Sequence, residues 1–402
     1  LCLIFEKWCE VMAVITSIKV MLVPNNKQRT KLFSYAGTAR FAFNWALGRE
    51  KENYENGGKF LSDYELRKEF TQLKKKDEYQ WLNTISNNVT KQAIKDACKD
   101  YIGFFKGEHG FPKFKSKKKS KPAFYQDTDK IKFTDTHVKL EGLAVSRKKN
   151  RKQFNWIRLA EHSRIPVNAR YMNPRITFDG LNWWISVGIE VADTDEVPKN
   201  EGIGIDLGLK ELAVCSDTKI YKNINKSSKI KTLEKKKRRL QRSISRKYEK
   251  NKKGESYCKT KNVIKKEKLL LKVNHRLTDI RHNYIHQTTS EIISRKPMFI
   301  VMEDLNVSGM MKNRHLSKAV QNQCFREFRR QMEYKCQKHN IKLIVADRYF
   351  PSSKLCSCCG TVKKDLKLSD RVYRCKCGNI IDRDLQASIN LKAYGENLYY
   401  GT

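Results

Sequence analysis

Two cysteine pairs constrain this chain more sharply than any other feature. Cys356 and Cys359 form C-x-x-C, Cys375 and Cys377 form C-x-C after fifteen intervening residues, and Gly360 and Gly378 follow the two pairs. Four thiolates from two such knuckles satisfy a tetrahedral Zn²⁺. The chain around them is therefore expected to fold back on itself as a zinc-bearing insert. No histidine and no open coordination position is implied, so the expected zinc is single and structural, with a redox dithiol as the alternative. Cys358 offers a substitute ligand, but the Cys359-Gly360 knuckle matches Cys377-Gly378. Five of the twelve cysteines fall between positions 356 and 377 and the others are scattered singly, which is the pattern of a metal site and not of a disulfide framework.

Charge sets the class of partner. The 402 residues carry 83 Lys plus Arg against 43 Asp plus Glu, a formal net charge of +40. Such a surface attracts polyanions, with an affinity that falls steeply with salt because each phosphate contact releases counterions. RNA or DNA is the expected partner, and an ordinary small-molecule enzyme is not. Membrane insertion is not expected, since no stretch approaches the roughly 20 apolar residues of a spanning helix. The opening from Leu1 to Leu22 is interrupted by Glu6, Lys7 and Glu10 and does not read as a signal peptide. Met12 is read as a plausible start, with residues 1–11 as upstream reading frame. A length prior of roughly 100 to 200 residues per domain gives two to four units.

Periodicity divides the chain. Val14 to Val23 is a β-branched run ending at Pro24, after which Leu32, Ala36, Ala39, Phe43 and Leu47 take helical spacing. Gly57-Gly58 breaks that helix, Ser62 with Glu65 marks a capping box, and Val89, Ala93, Ala97, Tyr101 and Phe105 mark a further helix. The run "HGFPKFKSKKKSK", with Lys117, Lys118 and Lys119, reads as a loop laid on phosphates with two aromatics free to stack, or as a solvated linker. Strand-like alternation follows to Val191, with a hairpin at Asp179-Gly180. A β-barrel or sandwich is expected, with the helices inserted into it.

From Gly202 the order is strand, strand, strand, helix, strand, helix, strand, helix, the order of the RNase H-like nuclease fold. The interval Lys231 to Arg276 holds 19 Lys plus Arg and 4 Glu, including Lys235, Lys236, Lys237, Arg238, Arg239 and Arg242. Beyond Lys268, the positions Leu269, Val273, Leu277, Ile280, Tyr284 and Ile292 keep helical spacing. The second half of the basic stretch is thus expected to have a buried face and the first half none. Nucleic-acid contact is the expected role, a merely solvated face the alternative.

Three carboxylates carry the expected chemistry: Asp206 at the end of the first strand, Glu303 after "MFIVM", and Asp384 at the mouth of the last helix. Hard cations such as Mg²⁺ take oxygen ligands, and converging carboxylates can hold two ions about 4 Å apart for in-line attack on a phosphodiester. Each acid alone is more simply a helix cap or a strand end. Because strand side chains alternate, only one of Glu303 and Asp304 faces such a site, and Glu303 is preferred; Asp382 similarly competes with Asp384.

The segments "GIDLG", "VMEDLNVSGM", "DRYFPSSKLCSCCG" and "CGNIIDRDLQASIN", in that order, resemble the TnpB (OrfB) proteins of IS200/IS605-type transposons, RNA-guided nucleases related to miniature type V CRISPR effectors. "AGTARFAFNWALG" and "GFPKFKSKKKSK" fit the family's opening region. The resemblance implies a multi-domain α+β chain: a wedge β-domain in two parts (1–24 and 121–200), a helical recognition module (25–120), a RuvC-like nuclease (201–350), a zinc-ribbon insert (351–381) and a last RuvC segment with tail (382–402). It implies Asp206, Glu303 and Asp384 as the Mg²⁺ site, and RNA-guided cleavage of double-stranded DNA next to a short motif, with an element-derived guide RNA bound by a monomeric protein in a prokaryotic, nucleoid-associated cytoplasm. Pairing would read the target while protein reads backbone and motif, as in the unrelated Cas9. The chain departs from the family at Gln386, usually Asn, at Ser388, usually Ala, and in its C-x-C knuckle. A guide-directed binding protein without cleavage and a structure-specific junction resolvase remain the alternatives.

Overall fold

The computed structural model describes residues 14–143, 154–191, 197–254, 256–367 and 370–401; the expected start at Met12 lies outside them. Contacts divide the chain into two compact units, 1–192 and 193–402.

In the first unit, strand β1 (Val14–Val23) leads into helix α1 (Asn26–Glu55), then α2 (Asp63–Leu73) and α3 (Asn87–Phe105). Asn25 caps α1 in a reciprocal box with Gln28, and Ser62 caps α2 in the same way with Glu65, so the orphan amides of both helices are satisfied at their first turns. Six strands follow: β2 (Ala123–Tyr125), β3 (Lys132–Phe133), β4 (His137–Lys139), β5 (Trp156–Leu159), β6 (Tyr171–Phe178) and β7 (Trp183–Val191). They join β1 in one antiparallel sheet of order β2-β6-β7-β1-β5-β4-β3. β1 lies inside this sheet although three helices separate it from β2. Among the described residues the hydrogen-bonded order ends at β2 and β3 without closing, so in place of the expected barrel they form an open seven-stranded sheet. One apolar cluster joins its inner face to α1 and α3, through Leu32, Phe43, Ile94, Ile157, Ile176 and Trp183.

The second unit begins with β8 (Ile203–Leu207), β9 (Glu211–Cys215) and β10 (Ile220–Lys222), followed by α4 (Ser228–Lys250), a two-stranded ribbon of β11 (Lys252–Lys253) and β12 (Ser256–Tyr257), and α5 (Lys261–Ser294). Then come β13 (Phe299–Glu303), the short helices α6 (Val307–Met310) and α7 (Ser317–Gln323), α8 (Phe325–Lys338), β14 (Lys342–Ala346), β15 (Val372–Arg374), β16 (Ile380–Asp382) and α9 (Arg383–Tyr400). The main sheet runs β10-β9-β8-β13-β14; β8, β13 and β14 are parallel and β9 and β10 antiparallel to their neighbours. Apolar side chains leave both faces of its centre. Ile205, Ile300 and Met302 meet Ile285, Phe328 and Met332 on one face, while Phe299, Val301 and Ala346 meet Leu391 of α9 on the other.

Three expectations need correction. The first half of the basic stretch does have a buried seam: Ile230, Leu233, Leu240 and Ile244 of α4 lie at heptad-like spacings, and Ile230, Leu233 and Leu240 pack on Val273 and Leu277 of α5. Two apolar residues per heptad suffice to pair two helices, and among so many lysines they are easily overlooked. Leu269, expected on the buried face, is instead exposed. The run "IKLIVAD" reads in the sequence as a buried strand, but it is an edge strand with Val345 exposed, because β14 has a neighbour on one side only. No described helix is long and apolar enough to cross a membrane.

Candidate nuclease and metal sites

The register of the central strands explains how the acids meet. β13 pairs with β8 as Ile300 to Ile203, Val301 to Gly204 and Met302 to Ile205, so Glu303 and Asp206 follow as the next residues of two adjacent parallel strands. Side chains alternate along a strand, so Gly204 and Asp206 share a face, as do Phe299, Val301 and Glu303. That face is covered by α9. A Cβ on Gly204 would lie 2.0 Å from the Ser388 carbonyl oxygen, so helix and strand meet backbone to backbone there, and one on Gly395 would lie 2.2 Å from the Val301 side chain, so that side chain packs directly on the helix backbone. Asp384 precedes Ser388 by four helical residues, about 6.0 Å, and Asp206 follows Gly204 by two strand residues, about 6.6 Å. The two advances match, and the helix delivers Asp384 to the level of Asp206.

The electrostatics agree. The carboxyl of Asp206 is pushed well above the usual range by burial, then by the charges of Glu303 and Asp384; Arg383 opposes the shift. Asp304 belongs to the other side of β13, where Arg348 and Arg329, the latter at 2.8 Å, hold it ionised below the usual carboxylate range. Asp382 is the N-cap of α9, accepting from the amides of Asp384 (2.9 Å) and Leu385 (3.2 Å). Both competing acids thus have structural employment.

Around these carboxylates lies a set of polar residues to which the sequence reading assigns no role. Ser352 donates its hydroxyl to Glu303. Asn390 donates to the carbonyls of Ser352 (2.6 Å) and Leu355 (2.7 Å), and Gln386 donates to the same Leu355 carbonyl at 2.7 Å. The Gln386 carbonyl oxygen accepts from Ser357 and Asn379 beside the cysteines. Gln386, Ser388 and Asn390 are buried, and Ser388 turns its hydroxyl back to the Leu385 carbonyl at 2.8 Å. The departures at 386 and 388 therefore leave satisfied hydrogen bonds. The one available signal was a pair of amides at i and i+4 on an otherwise apolar helix face. Beside Glu303 a cavity of about 250 Å³ is lined by Arg326, Arg329 and Arg348.

Ligand atoms of Cys356, Cys359, Cys375 and Cys377 all lie within 4.8 Å of one another, and among the described residues no other group of acids, histidines or cysteines converges so closely. The Cys356–Cys377 and Cys359–Cys375 sulfur separations are both 3.6 Å. Gly360 and Gly378 hold φ of +70° and +91°, a conformation that side chains rarely adopt, which lets each knuckle turn back on its sulfurs. The buried Tyr373 closes the module by donating to the Lys354 carbonyl at 3.2 Å. Exposed Cys358 stands outside the group. Four thiols at this separation suit a soft or borderline cation with tetrahedral preference.

Of the basic residues, Lys235, Lys236, Arg238, Arg239 and Arg242 are exposed along α4 and Lys237 is half-buried. In the first unit Lys117, Lys118 and Lys119 are exposed in the loop after α3, beside exposed Phe111 and Phe114.

The second unit is thus an α/β fold with acids at adjacent strand ends and a four-cysteine knuckle beside them, and comparison with known proteins gives the same class. The whole chain shares its fold with a Cas12f1 chain solved by cryo-EM in complex with sgRNA and target DNA, at 13% identity and a TM-score of 0.60 over 94% of this chain and 99% of that one. Residues 325–391 match the Cas12f1-like TNB domain, residues 185–314 the OrfB_IS605 family described as "Probable transposase", and residues 12–59 the helix-turn-helix domain of the same family. Over these segments the chain is similar to the OrfB proteins of IS605-type elements and to the Cas12f1-like TNB domain. A relative from Streptomyces pristinaespiralis, named "Putative RNA-guided DNA endonuclease", is 27% identical over 94% of this chain and 89% of its own. InsQ of Escherichia coli K12, named in the same way, is 26% identical over 94% and 92%.

Proposed function

We propose that the chain is a Mg²⁺-dependent, RNA-guided endonuclease of double-stranded DNA. Asp206, Glu303 and Asp384 are its metal-binding carboxylates, and the observation that carries this reading is their placement on one face at the ends of β8 and β13 and the start of α9, where each raises the cost of ionising Asp206. That uncompensated negative charge is the donor set a hard cation neutralises. When bound, two Mg²⁺ supply Lewis acidity to the attacking and departing oxygens of a phosphodiester. The chain's own part is to hold the carboxylates rigidly: Ser352 fixes Glu303, Asp382 caps the turn that presents Asp384, and α9 seats against Gly204. Arg326, Arg329 and Arg348 offer cations beside Glu303 for a scissile strand's phosphates.

In this reading the second unit supplies the RuvC-like nuclease of 201–350 and 382–402. The four cysteines bind one structural Zn²⁺ in the insert 351–381. The strands of 1–24 and 121–200 form the wedge around a recognition module of 25–120, and the exposed cations of α4 and of the 117–119 loop follow RNA or heteroduplex backbone. Family resemblance, the names given to the relatives and the net charge support the guide and the target.

The test is to express the chain with its flanking DNA, recover RNA retained through a high-salt wash, and assay cleavage of matched duplex with Mg²⁺. A discrete RNA that directs cleavage, lost in Asp206→Ala with RNA binding intact, is expected. Cutting of naked branched DNA without RNA would instead identify a junction resolvase. Cys359→Ser lowers zinc below one per chain; unchanged zinc content would refute the four-thiolate assignment.

A further inference from the structure

The first unit contains a pocket that none of this chemistry uses. Its volume is about 360 Å³, inside the roughly 300–1,000 Å³ range of small-ligand sites. Its wall is aromatic: Tyr54, Phe60, Phe105 and Phe111 are exposed at the surface, and Tyr101 is buried beneath them. The rings already meet edge-to-face, Phe60 with Phe105 at 6.3 Å and Tyr101 with Phe111 at 5.6 Å. Within this apolar wall stands Glu50, 3% exposed. One of its oxygens accepts from the Leu61 amide at 3.3 Å, and the other, Oε1, is buried without a hydrogen-bond partner. An unpaired buried acceptor of this kind keeps the full cost of its desolvation. A fold does not gain from such an atom unless something donates to it.

We propose that this pocket receives a single nucleobase turned out of its stack, held flat against the exposed rings with one N–H donating to Glu50 Oε1. Unstacked bases are bound in this way by aromatic side chains and a few edge contacts, and every base has both a π-face and an N–H donor. Charge favours a nucleic-acid occupant. Lys59 and Lys106 are exposed in the segments that form the pocket, and the lysine run ending at Lys121 begins two residues after Phe111. A carboxylate excludes anions, so the base and not the phosphate enters. Burial raises the Glu50 carboxyl to about 7, which suits an acceptor that is solvated only by its ligand. The inference rests on the nucleic-acid-binding reading above but needs neither the metal nor the cleavage step.

The experiment uses the full chain and a single-stranded RNA 20-mer containing 5-iodouridine, which crosslinks to stacked aromatic rings under long-wavelength light. Expected are crosslinked peptides at Tyr54, Phe60, Phe105 or Phe111, reduced about tenfold in Glu50→Leu and in Phe105→Ala, while total RNA binding at low salt stays within about twofold. Glu50→Leu removes a buried acid and should fold at least as well as the parent, and equal unfolding midpoints check this. Crosslinks confined to the basic helix and loop would overturn the pocket assignment while leaving nucleic-acid binding in place. Absence of any RNA binding would overturn both readings together. Saturation-transfer NMR with uridine and with tetramethylammonium provides the other arm: contact from the cation alone would assign the pocket to a cationic partner and overturn the proposal.

Discussion

Ser352 donates its hydroxyl to Glu303, while its own carbonyl accepts from Asn390 of α9. One residue therefore ties the carboxylate at the end of β13 to the helix that presents Asp384. Ser352→Ala should leave the fold and RNA binding intact and slow cleavage about tenfold, corresponding to the roughly 1.4 kcal/mol of one hydrogen bond to a charged group. Single-turnover cleavage rates check this, and an unchanged rate would show that Glu303 needs no help from this side chain.

Stability and activity should part company at Asp206. Its half-buried carboxylate feels the charges of two other acids, so Asp206→Asn removes repulsion and a partly desolvated charge. Without divalent ions the variant should unfold about 1–3 kcal/mol later than the parent, yet cleave nothing. Adding Mg²⁺ should raise the unfolding midpoint of the parent and not of the variant. Calorimetry with and without Mg²⁺ reads both effects.

Gly204→Ala should be among the most damaging single substitutions in the second unit. The added methyl would meet backbone atoms of Ser388 and Lys392, at 2.0 and 2.5 Å, so no side-chain rotation relieves it. Displacement of α9 is expected to cost about 3 kcal/mol or more. Gly360→Ala, at a positive φ with open space around it, should cost less, about 1 kcal/mol, through backbone strain alone. Urea midpoints of the two variants separate the mechanisms.

The legibility of the sequence was uneven for physical reasons. Strand ends, caps and cysteine spacing are local, and the Ser62–Glu65 box and the four thiols are found where their spacing places them. The choice between Glu303 and Asp304 followed from strand alternation; the charge of Glu303 acts on Asp206, while Asp304 is paired with Arg329 and Arg348. The seam of α4 was missed because its four apolar residues are outnumbered by cations that stay in solvent. The roles of Ser352, Gln386 and Asn390 were missed because hydrogen bonds between groups more than thirty residues apart leave no periodicity to read. Closure of the β-sheet was equally invisible, since it depends on whether β2 and β3 meet, a pairing that no local pattern encodes.

The exposed cations of α4 give a salt-dependent prediction. Replacing Lys235, Lys236, Arg239 and Arg242 by Gln should reduce the slope of log affinity against log salt by about 3 for single-stranded RNA, at about 0.7 per phosphate contact. Helix content should persist, because Ile230 and Ile244 are untouched. Filter binding across a salt series measures it; an unchanged slope would return α4 to a solvated face.

Glu50 predicts the pH dependence of the first unit. Burial is the main cause of its raised carboxyl, and Glu65 and Glu69 add to it while the Leu61 amide and Arg49 oppose it. With a folded value of about 7 against an unfolded value near 4.5, the contribution to stability is fully present below about 4.5 and is lost as pH rises through 7. Glu50→Gln should abolish that loss, raising stability at pH 8 by on the order of 2 kcal/mol relative to the parent and little at pH 4. Denaturant unfolding at the two pH values checks the sign.

The α4–α5 hairpin enters after β10 and returns at β13, and its two arms hold each other through one repeating apolar seam. Whole seven-residue increments can therefore be removed from or added to both arms together without shifting the strand ends that carry Asp206 and Glu303. The hairpin is an arm whose length is set independently of the catalytic centre it springs from.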